Sequence, residues 1–162
     1  MSCVLLGKVE QMENIADLLQ LAEKKCLERG VKLTSRRREV LIALLEAEGA
    51  LSAYELLDKC NKQSLKPMPA MSIYRILQFL EDHLLVHKLS SANKYIACSH
   101  IGCEHRHFFK SQFLICSDCS AVKEIGIADD TYEAMMVAAD QAGFTLEGTQ
   151  IEVTGSCNHC RG

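Results

Sequence analysis

Two cysteine pairs of identical spacing constrain this chain more than any other feature. Cys116 and Cys119 follow an apolar stretch that is typical of a β-strand, and Cys157 and Cys160 stand near the end of the sequence. Four thiolates in two C-x-x-C turns supply the complete tetrahedral ligand set of a structural zinc site. Redox-active or merely structural cysteine pairs are the alternative interpretation. The preferred prediction is a Cys₄ zinc site.

The length of 162 residues fits two compact units of roughly 60 to 90 residues each better than one small domain. The first residues lack the basic and apolar regions of a signal peptide. No stretch approaches the ~20 apolar residues that span a bilayer. We therefore expect no membrane association and a reducing cytoplasmic location, where C-x-x-C pairs bind metal rather than form disulfides.

Charge is distributed unevenly along the chain, although the net charge of −3 does not by itself suggest nucleic-acid binding. Residues 1–90 carry 13 Lys/Arg against 12 Asp/Glu, whereas residues 91–162 carry 5 against 9 and hold four of the six histidines. A basic cluster lies in the first part: Lys32, Arg36, Arg37 and Arg38. The first part is thus near neutral with a basic spot, and the second is acidic and rich in metal-binding side chains.

Apolar periodicity in the first part predicts several helices followed by two short strands. The predicted helices cover about 12–29, 34–45, 52–61 and 71–82, and the predicted strands cover 85–88 and 94–98. Thr34 or Ser35 is expected to cap the second helix. This order is typical of a winged helix-turn-helix, so we predict a DNA-binding domain over residues 1–90, with the wing and hinge running to about 98.

The fourth predicted helix has the pattern of a DNA-reading helix. Four apolar residues share its back: Ile73, Ile76, Leu77 and Leu80. Arg75 lies nearly opposite, flanked by Ser72 and Gln78, with Tyr74 to one side. In a major groove Arg75 would bind guanine and Ser72 a phosphate. An ordinary solvated polar face explains the same pattern equally well, so the helix alone does not decide.

The second part predicts a small α+β unit. It contains strands on both sides of the first cysteine pair, a helix over 129–142 that Asp129 or Asp130 would cap and Gly143 would end, and a strand near 145–153. A sheet of this size needs a packing partner, most simply a second copy of the chain. We therefore predict an α+β protein whose residues 99–162 form a metal-binding dimerisation domain.

Four stretches match motifs of one known family: Leu33-Thr34-x-x-Arg37, Ser52-Ala53-Tyr54-Glu55-Leu56-Leu57-Asp58, Val86-His87-Lys88 and Cys116-x-x-Cys119-x-Ala121-Val122-Lys123-Glu124. Together with the order of the predicted domains, they resemble the ferric-uptake-regulator family, and its zinc-sensing members in particular, over residues 18 to 160. The resemblance implies a zinc-responsive transcriptional repressor. Such a repressor is a homodimer that binds palindromic double-stranded operator DNA and controls zinc uptake genes.

The resemblance also implies two zinc ions per chain. The structural zinc maps onto Cys116, Cys119, Cys157 and Cys160. The regulatory zinc maps onto four positions: His87, Cys98, a histidine before the first C-x-x-C, and Glu124. The segment between Cys98 and Cys116 carries about three more residues than the family pattern, which leaves both His105 and His107 available for that position. His107 is the first choice, His105 the second and Cys103 a distant third.

Further residues are implied at the DNA. Tyr54 and Arg75 match base-contacting positions, and Ser72, Tyr74 and Arg37 complete the predicted DNA-binding set. Asp58 matches a residue used between two dimers that share an operator. Its cationic counterpart is replaced by Asn61 in this chain, so the usual ion pair between dimers is not expected.

Three alternatives differ in chemistry. A redox sensor would oxidise Cys98 and Cys103, and an iron or manganese sensor of the same family would respond to another metal. A zinc hydrolase needs three protein ligands and an open water position. Both predicted sites have four protein ligands and the sequence shows no catalytic triad or H-E-x-x-H pattern, so we expect no enzyme.

Overall fold

The computed structural model describes residues 15–63, 65–101, 110–147 and 150–161. These residues fall into two compact units, one that extends to residue 101 and one that starts at residue 110. Both helices and strands are present, so the predicted α+β class is confirmed. The boundary predicted between residues 98 and 99 stays a prediction. None of the described helices is long and apolar enough to cross a membrane.

The first unit contains four helices and a hairpin, as the periodicity predicted. The elements are α1 (Ile15–Glu28), α2 (Ser35–Leu45), α3 (Ala53–Gln63), α4 (Ala70–Asp82), β1 (Val86–Leu89) and β2 (Lys94–Ala97). β1 and β2 pair antiparallel and form the wing. Leu51 pairs with Tyr95 through two backbone hydrogen bonds of 2.9 and 2.7 Å, so the wing is attached to the segment between α2 and α3.

A continuous core holds this unit together. Its fully buried side chains come from all four described helices and the wing, and they include Cys26, Leu41, Leu56, Leu77 and Val86. Each side chain of this size contributes roughly 1.5–3 kcal/mol when it is removed from water. The back of α4 is therefore fixed by packing, which leaves its opposite face available for a ligand.

The N-termini of α3 and α2 are capped differently. Ser52 and Glu55 form a reciprocal capping box at α3: the Glu55 N–H donates to Ser52 Oγ (3.2 Å) and the Ser52 N–H donates to Glu55 Oε2 (2.7 Å). These hydrogen bonds hold the pKa of Glu55 below its usual value. Thr34 occupies the N-cap of α2, as expected, but its side chain makes no capping hydrogen bond.

The second unit is a three-stranded sheet with one helix. Its elements are β3 (Ser111–Cys116), β4 (Val122–Gly126), α5 (Asp129–Gln141) and β5 (Gln150–Gly155). β3 is central and pairs antiparallel with β4 and parallel with β5. β5 lies later in the chain than the strand predicted over 145–153. Its bounds are set by the residues that pair with β3, and the apolar pattern of its own sequence does not reveal that pairing.

The ends of α5 confirm one prediction and correct another. Gly143 has φ +79°, and its N–H bonds to Asp140 O (2.9 Å), so it ends the helix as expected. The prediction that Asp129 or Asp130 caps the helix was wrong: Ala128 holds the N-cap position and no side chain caps it. Both aspartates lie in the first turn, where carboxylates favour the helix dipole. Asp129 also faces Lys110 Nζ at 3.6 Å.

Apolar side chains remain at the surface of this unit. None of the residues of α5 is buried, and Met135 and Val137 on it are exposed. Leu114 on β3 and Val153 on β5 are direct register partners on the same sheet face, and both are exposed. Such a face is what the expected second copy of the chain would cover.

Candidate metal centres and nucleic-acid interface

The parallel pairing of β3 with β5 brings the two C-x-x-C turns together. Cys116 ends β3 opposite Gly155, the last residue of β5. Cys119 follows in the turn after β3, and Cys157 and Cys160 follow in the turn after β5. Because parallel neighbours end at the same edge of a sheet, both turns leave from one place.

The four sulfur atoms have the spacing of a metal site. All four Sγ atoms lie within 4.8 Å of one another, and Cys119 Sγ and Cys157 Sγ are 3.7 Å apart. A tetrahedron with Zn–S bonds of about 2.3 Å has edges of about 3.8 Å, whereas a disulfide requires about 2.05 Å. The arrangement therefore fits a four-coordinate Zn²⁺ and does not fit a disulfide.

Backbone donors make the centre ready for a cation. Hydrogen bonds from the N–H groups of Cys119, Cys157 and Asp118 lower the pKa of Cys116 to about 6. The Cys157 N–H lies 3.3 Å from Cys116 Sγ. Hydrogen bonds with the Cys119 and Cys157 side chains raise the pKa of Cys160 to about 12. Without a cation the four thiols therefore do not all ionise near neutral pH, whereas a bound divalent ion stabilises all four thiolates.

In the first unit, the wing places His87 and Cys98 on one face. His87 is the register partner of Ile96, and the Cys98 N–H donates to Leu85 O at 3.0 Å. Register partners share a face, and so do residues two apart in a strand. His87 and Cys98 are therefore diagonal neighbours. Cys98 is 3% exposed and His87 is half-buried, so an imidazole and a thiol meet in a shielded position.

In the second unit, Glu124 stands on β4 opposite the buried Phe113. Its Oε1 accepts a hydrogen bond from Ser111 Oγ at 2.9 Å. The carboxylate is half-buried. The segment 102–109, which carries His107, His105 and Cys103, lies outside the described residues. The four-residue regulatory set therefore stays a prediction.

The face of α4 that was predicted to read DNA is exposed. Tyr74, Arg75 and Gln78 are exposed and Ser72 is half-buried, while Ile73, Ile76, Leu77 and Leu80 are buried as predicted. Gln78 Nε2 donates to Asp82 Oδ1 (2.9 Å), which holds the amide along the helix. The Arg75 guanidinium thus stands on a rigidly packed helix.

A tyrosine pair extends this surface from α4 to α3. Tyr54 on α3 is 72% exposed. Partial burial and a hydrogen bond with Tyr54 raise the pKa of Tyr74. The sequence indicated both tyrosines separately but gave no sign that they contact each other, since that contact depends on how α3 packs on α4.

The basic cluster at the start of α2 is largely engaged in contacts. Arg36 Nη1 lies 2.9 Å from Glu39 Oε2, and Arg38 pairs with Glu23. The Arg37 guanidinium lies 3.4 Å above the ring centroid of Phe79 on α4, and its Nη1 donates to Lys32 O at 2.6 Å. Arg37 therefore brings a positive charge directly beside α4, a placement that the sequence did not reveal.

Asn61 has a structural role. Its Oδ1 accepts a hydrogen bond from the Met68 N–H (2.6 Å) and its Nδ2 donates to Met68 O (3.2 Å), which fixes the segment before α4. Asp58 pairs with Lys62 one turn along α3, at 2.6 Å. This ion pair is within the helix and exposed, so it contributes little to stability.

Known proteins resemble the chain over most of its length. The model of the ferric uptake regulator family matches residues 28–154. The zinc uptake regulation protein of Escherichia coli strain K12 is 39% identical over 144 residues, which cover 89% of this chain and 81% of that protein. The protein of the same description from Shigella flexneri matches with the same values.

Solved structures agree with this assignment. A zinc uptake regulator complexed with zinc and DNA superposes with a TM-score of 0.79 at 36% identity, covering 91% of this chain and 95% of that one. Holo XcZur superposes with a TM-score of 0.72 at 32% identity, covering 91% and 99%. The chain therefore belongs to the ferric uptake regulator family.

Proposed function

We propose that the chain is a zinc-responsive transcriptional repressor, which binds palindromic operator DNA as a homodimer and controls zinc uptake genes. One observation carries the proposal: four cysteine Sγ atoms lie within 4.8 Å of one another in a chain that is 36% identical to a regulator solved with zinc and DNA. The role is regulatory rather than catalytic. Because an operator is its partner, we expect the chain to act in the cytoplasm.

We assign the structural zinc to Cys116, Cys119, Cys157 and Cys160. The four sulfur atoms already have tetrahedral spacing, and three backbone donors stabilise the first thiolate. A site with four protein ligands leaves no open coordination position. Its binding free energy adds directly to the stability of the second unit, so this zinc should remain bound while free zinc varies.

We assign a second, regulatory zinc to His87, Cys98, His107 and Glu124, with His105 as the alternative histidine. The shared wing face of His87 and Cys98 and the half-buried carboxylate of Glu124 support the choice. One thiolate with imidazoles and a carboxylate favours zinc over iron or manganese, which prefer nitrogen and oxygen ligands. When bound, the ion would supply a strong link among ligands distant in sequence.

These ligands would couple zinc to DNA binding. The wing belongs to the DNA-reading unit and Glu124 to the other unit. By sharing one ion, the residues would select one arrangement of the two units, in which the two recognition helices of a dimer stand one DNA turn apart, about 34–36 Å. Zinc then acts through its higher affinity for that arrangement.

On the operator, Arg75 would donate to a guanine edge and Tyr54 would contact a neighbouring base. Ser72, Tyr74 and Arg37 would contact phosphates or bases beside them. Two dimers on one operator remain compatible with this scheme. Asn61 is committed to Met68 and Asp58 to Lys62, so an Asp58–Asn61 contact would not provide an ion pair between them.

The burial of Cys98 weighs against the redox alternative at that residue, and Cys103 lies outside the described residues. Redox-sensing cysteines are accessible to solvent and have a lowered pKa, whereas Cys98 is only 3% exposed. Loss of operator binding on peroxide treatment at constant free zinc would nonetheless restore that alternative.

The decisive experiment is elemental analysis of zinc per chain, before and after mild chelation, on the wild type and on Cys98→Ser. We expect two zinc ions to fall to one in the wild type, and Cys98→Ser to hold one from the start. Operator binding should be lost when the labile zinc is removed and restored when it is added back. A wild type that holds one zinc throughout would refute the regulatory site while leaving the Cys₄ site in place.

A further inference from the structure

A side-chain hydrogen bond supports the proposed regulatory carboxylate. Ser111 is the first residue of β3, opposite Gly126, and Glu124 on β4 lies opposite Phe113. Ser111 and Glu124 are therefore diagonal neighbours on one face of the β3–β4 hairpin. Ser111 Oγ donates to Glu124 Oε1 at 2.9 Å, and both side chains are half-buried.

The direction of this hydrogen bond is fixed by chemistry. An ionised carboxylate can only accept, and the serine hydroxyl has one proton to donate. A hydrogen bond to a charged acceptor is among the stronger kinds. It holds Oε1 and so restricts the orientation of the whole carboxylate.

The benefit to metal binding is preorganisation. A free glutamate side chain has several rotatable bonds and loses most of its rotamer freedom when it binds. A partner that already holds one oxygen removes part of that loss. Groups that hydrogen-bond to metal ligands orient them in this way, and their removal typically lowers metal affinity about 10- to 100-fold.

We propose that Ser111 is a positioning residue for the regulatory zinc, and that it tunes the free zinc concentration at which the repressor binds DNA. The inference rests on the proposed function, because it needs Glu124 to be a zinc ligand. It adds Ser111, which is not among the proposed zinc ligands or DNA-binding residues. Ser111 acts through Oε1 of Glu124, by holding the carboxylate in one orientation.

The same sheet offers a matched control. Gln150 Nε2 on β5 donates to Glu152 Oε1 at 2.9 Å, and Glu152 pairs with Phe113 from the opposite side. Glu152 is thus held by a hydrogen bond of the same length, at the same level of the sheet, but it is not among the proposed ligands. Gln150 is also the register partner of Ser111, so Gln150→Ala removes a hydrogen bond directly beside Ser111 while both Ser111 and Glu124 remain.

The test compares two variants of equal shape on the full-length chain. Thr and Val are both β-branched and suit a strand, but only Ser111→Thr keeps the hydroxyl. Zinc affinity of the labile site is measured by competition with a chromophoric chelator. Co²⁺ substitution reports the thiolate-to-metal absorption of the same site, and thermal unfolding checks the fold.

Ser111→Val should bind the labile zinc about 10- to 100-fold more weakly than Ser111→Thr. It should need correspondingly more free zinc for operator binding, and both variants should keep the Cys₄ zinc. Ser111→Thr and Gln150→Ala should resemble the wild type. Should Ser111→Val misfold, Ser111→Ala replaces it with the same expected loss.

Equal labile-site affinities in Ser111→Val and Ser111→Thr would overturn the inference and leave the proposed function intact. An equal loss in Gln150→Ala would also overturn it, since the effect would then belong to the sheet in general. A wild type with no labile zinc is a different result, which removes the regulatory site and this inference with it.

Discussion

The two units of the molecule are stabilised in different ways. The first unit has a core that all four helices and the wing share. In the described part of the second unit, the buried residues are Phe113, Ile115 and Cys116 alone, and α5 contributes none. A unit of that size with so little buried apolar surface needs a metal or a partner. The comparison teaches that the first unit is stabilised by its own packing, whereas the second unit depends on a bound metal or on a partner that covers its apolar face.

The largest expected effect comes from removing a ligand of the proposed Cys₄ zinc site, because the second unit has few buried residues to stabilise it otherwise. Cys157→Ser should lose the structural zinc, unfold the second unit and abolish dimerisation. Zinc binding in small structural sites is worth about 10–16 kcal/mol, more than most small units have in total stability. Zinc per chain, light scattering and circular dichroism measure these losses.

His159→Ala is the matched control, because His159 is an exposed residue inside the same C-x-x-C turn. It should keep the zinc and the dimer. A dimeric, folded Cys157→Ser protein without structural zinc would show that the second unit does not depend on its metal, and the contrast between the two units would fail.

The converse change breaks the packed unit. Leu77 on α4 is fully buried, and Leu77→Ala should destabilise the first unit by about 2–5 kcal/mol through the cavity it leaves. Zinc content should not change. Leu27→Ala, at an exposed leucine on α1, should cost less than about 0.5 kcal/mol. Urea unfolding measures the stability and elemental analysis measures the zinc content. Loss of the structural zinc from Leu77→Ala would contradict the view that the two units are stabilised independently.

A third change addresses DNA reading. Arg75→Ala should weaken operator binding by about 1–3 kcal/mol and relax preference at one base pair, with no change in zinc binding. Titration of operators mutated singly at each position measures the effect. Arg29→Ala removes the same charge from an exposed site at the end of α1 and should leave base preference unchanged. Uniform weakening on all sequences would refute base reading by Arg75.

The apolar face of the second unit provides a smaller test. Val137 on α5 is 56% exposed, so Val137→Arg should hardly change the stability of an isolated chain. In a dimer that buries this face, it should raise the dissociation constant at least tenfold, about 1.4 kcal/mol. Thr131→Arg on the same helix is the control. Analytical ultracentrifugation that finds both variants equally dimeric would place the interface elsewhere.

Local signals in the sequence predicted much of this structure. Ser52 was expected at the start of α3 and Gly143 at the end of α5, and both act through hydrogen bonds to residues a few positions away. The C-x-x-C spacing likewise indicates each half of the proposed zinc centre. Local signals also gave the wrong N-cap for α5. Aspartate is favoured both at the N-cap and in the first turn of a helix, so its presence does not distinguish the two positions.

Contacts between elements were not predictable in this way. The cysteine pairs meet because β5 pairs parallel with β3, and a strand's own pattern does not name its neighbour. The contacts of Arg37 with Phe79, of Tyr54 with Tyr74 and of Ser111 with Glu124 arise from helix packing and strand register. The candidate site was therefore predictable as a set of residues, and its supporting interactions required the fold.

Arg37 gives the smallest and sharpest test, because it belongs to the packed unit and is proposed to contact DNA as well. Arg37→Ala should lower the salt slope of operator binding by about 1, the signature of one lost phosphate contact. It should also cost about 0.5–1 kcal/mol of stability, since the guanidinium no longer lies on Phe79. Arg37→Lys keeps the charge but not the planar stacking group, so it should restore most of the salt slope and less of the stability. Affinities measured across salt concentrations, beside urea unfolding, separate the two roles. An unchanged slope in Arg37→Ala would remove this arginine from the DNA interface and leave it only its structural contact with α4.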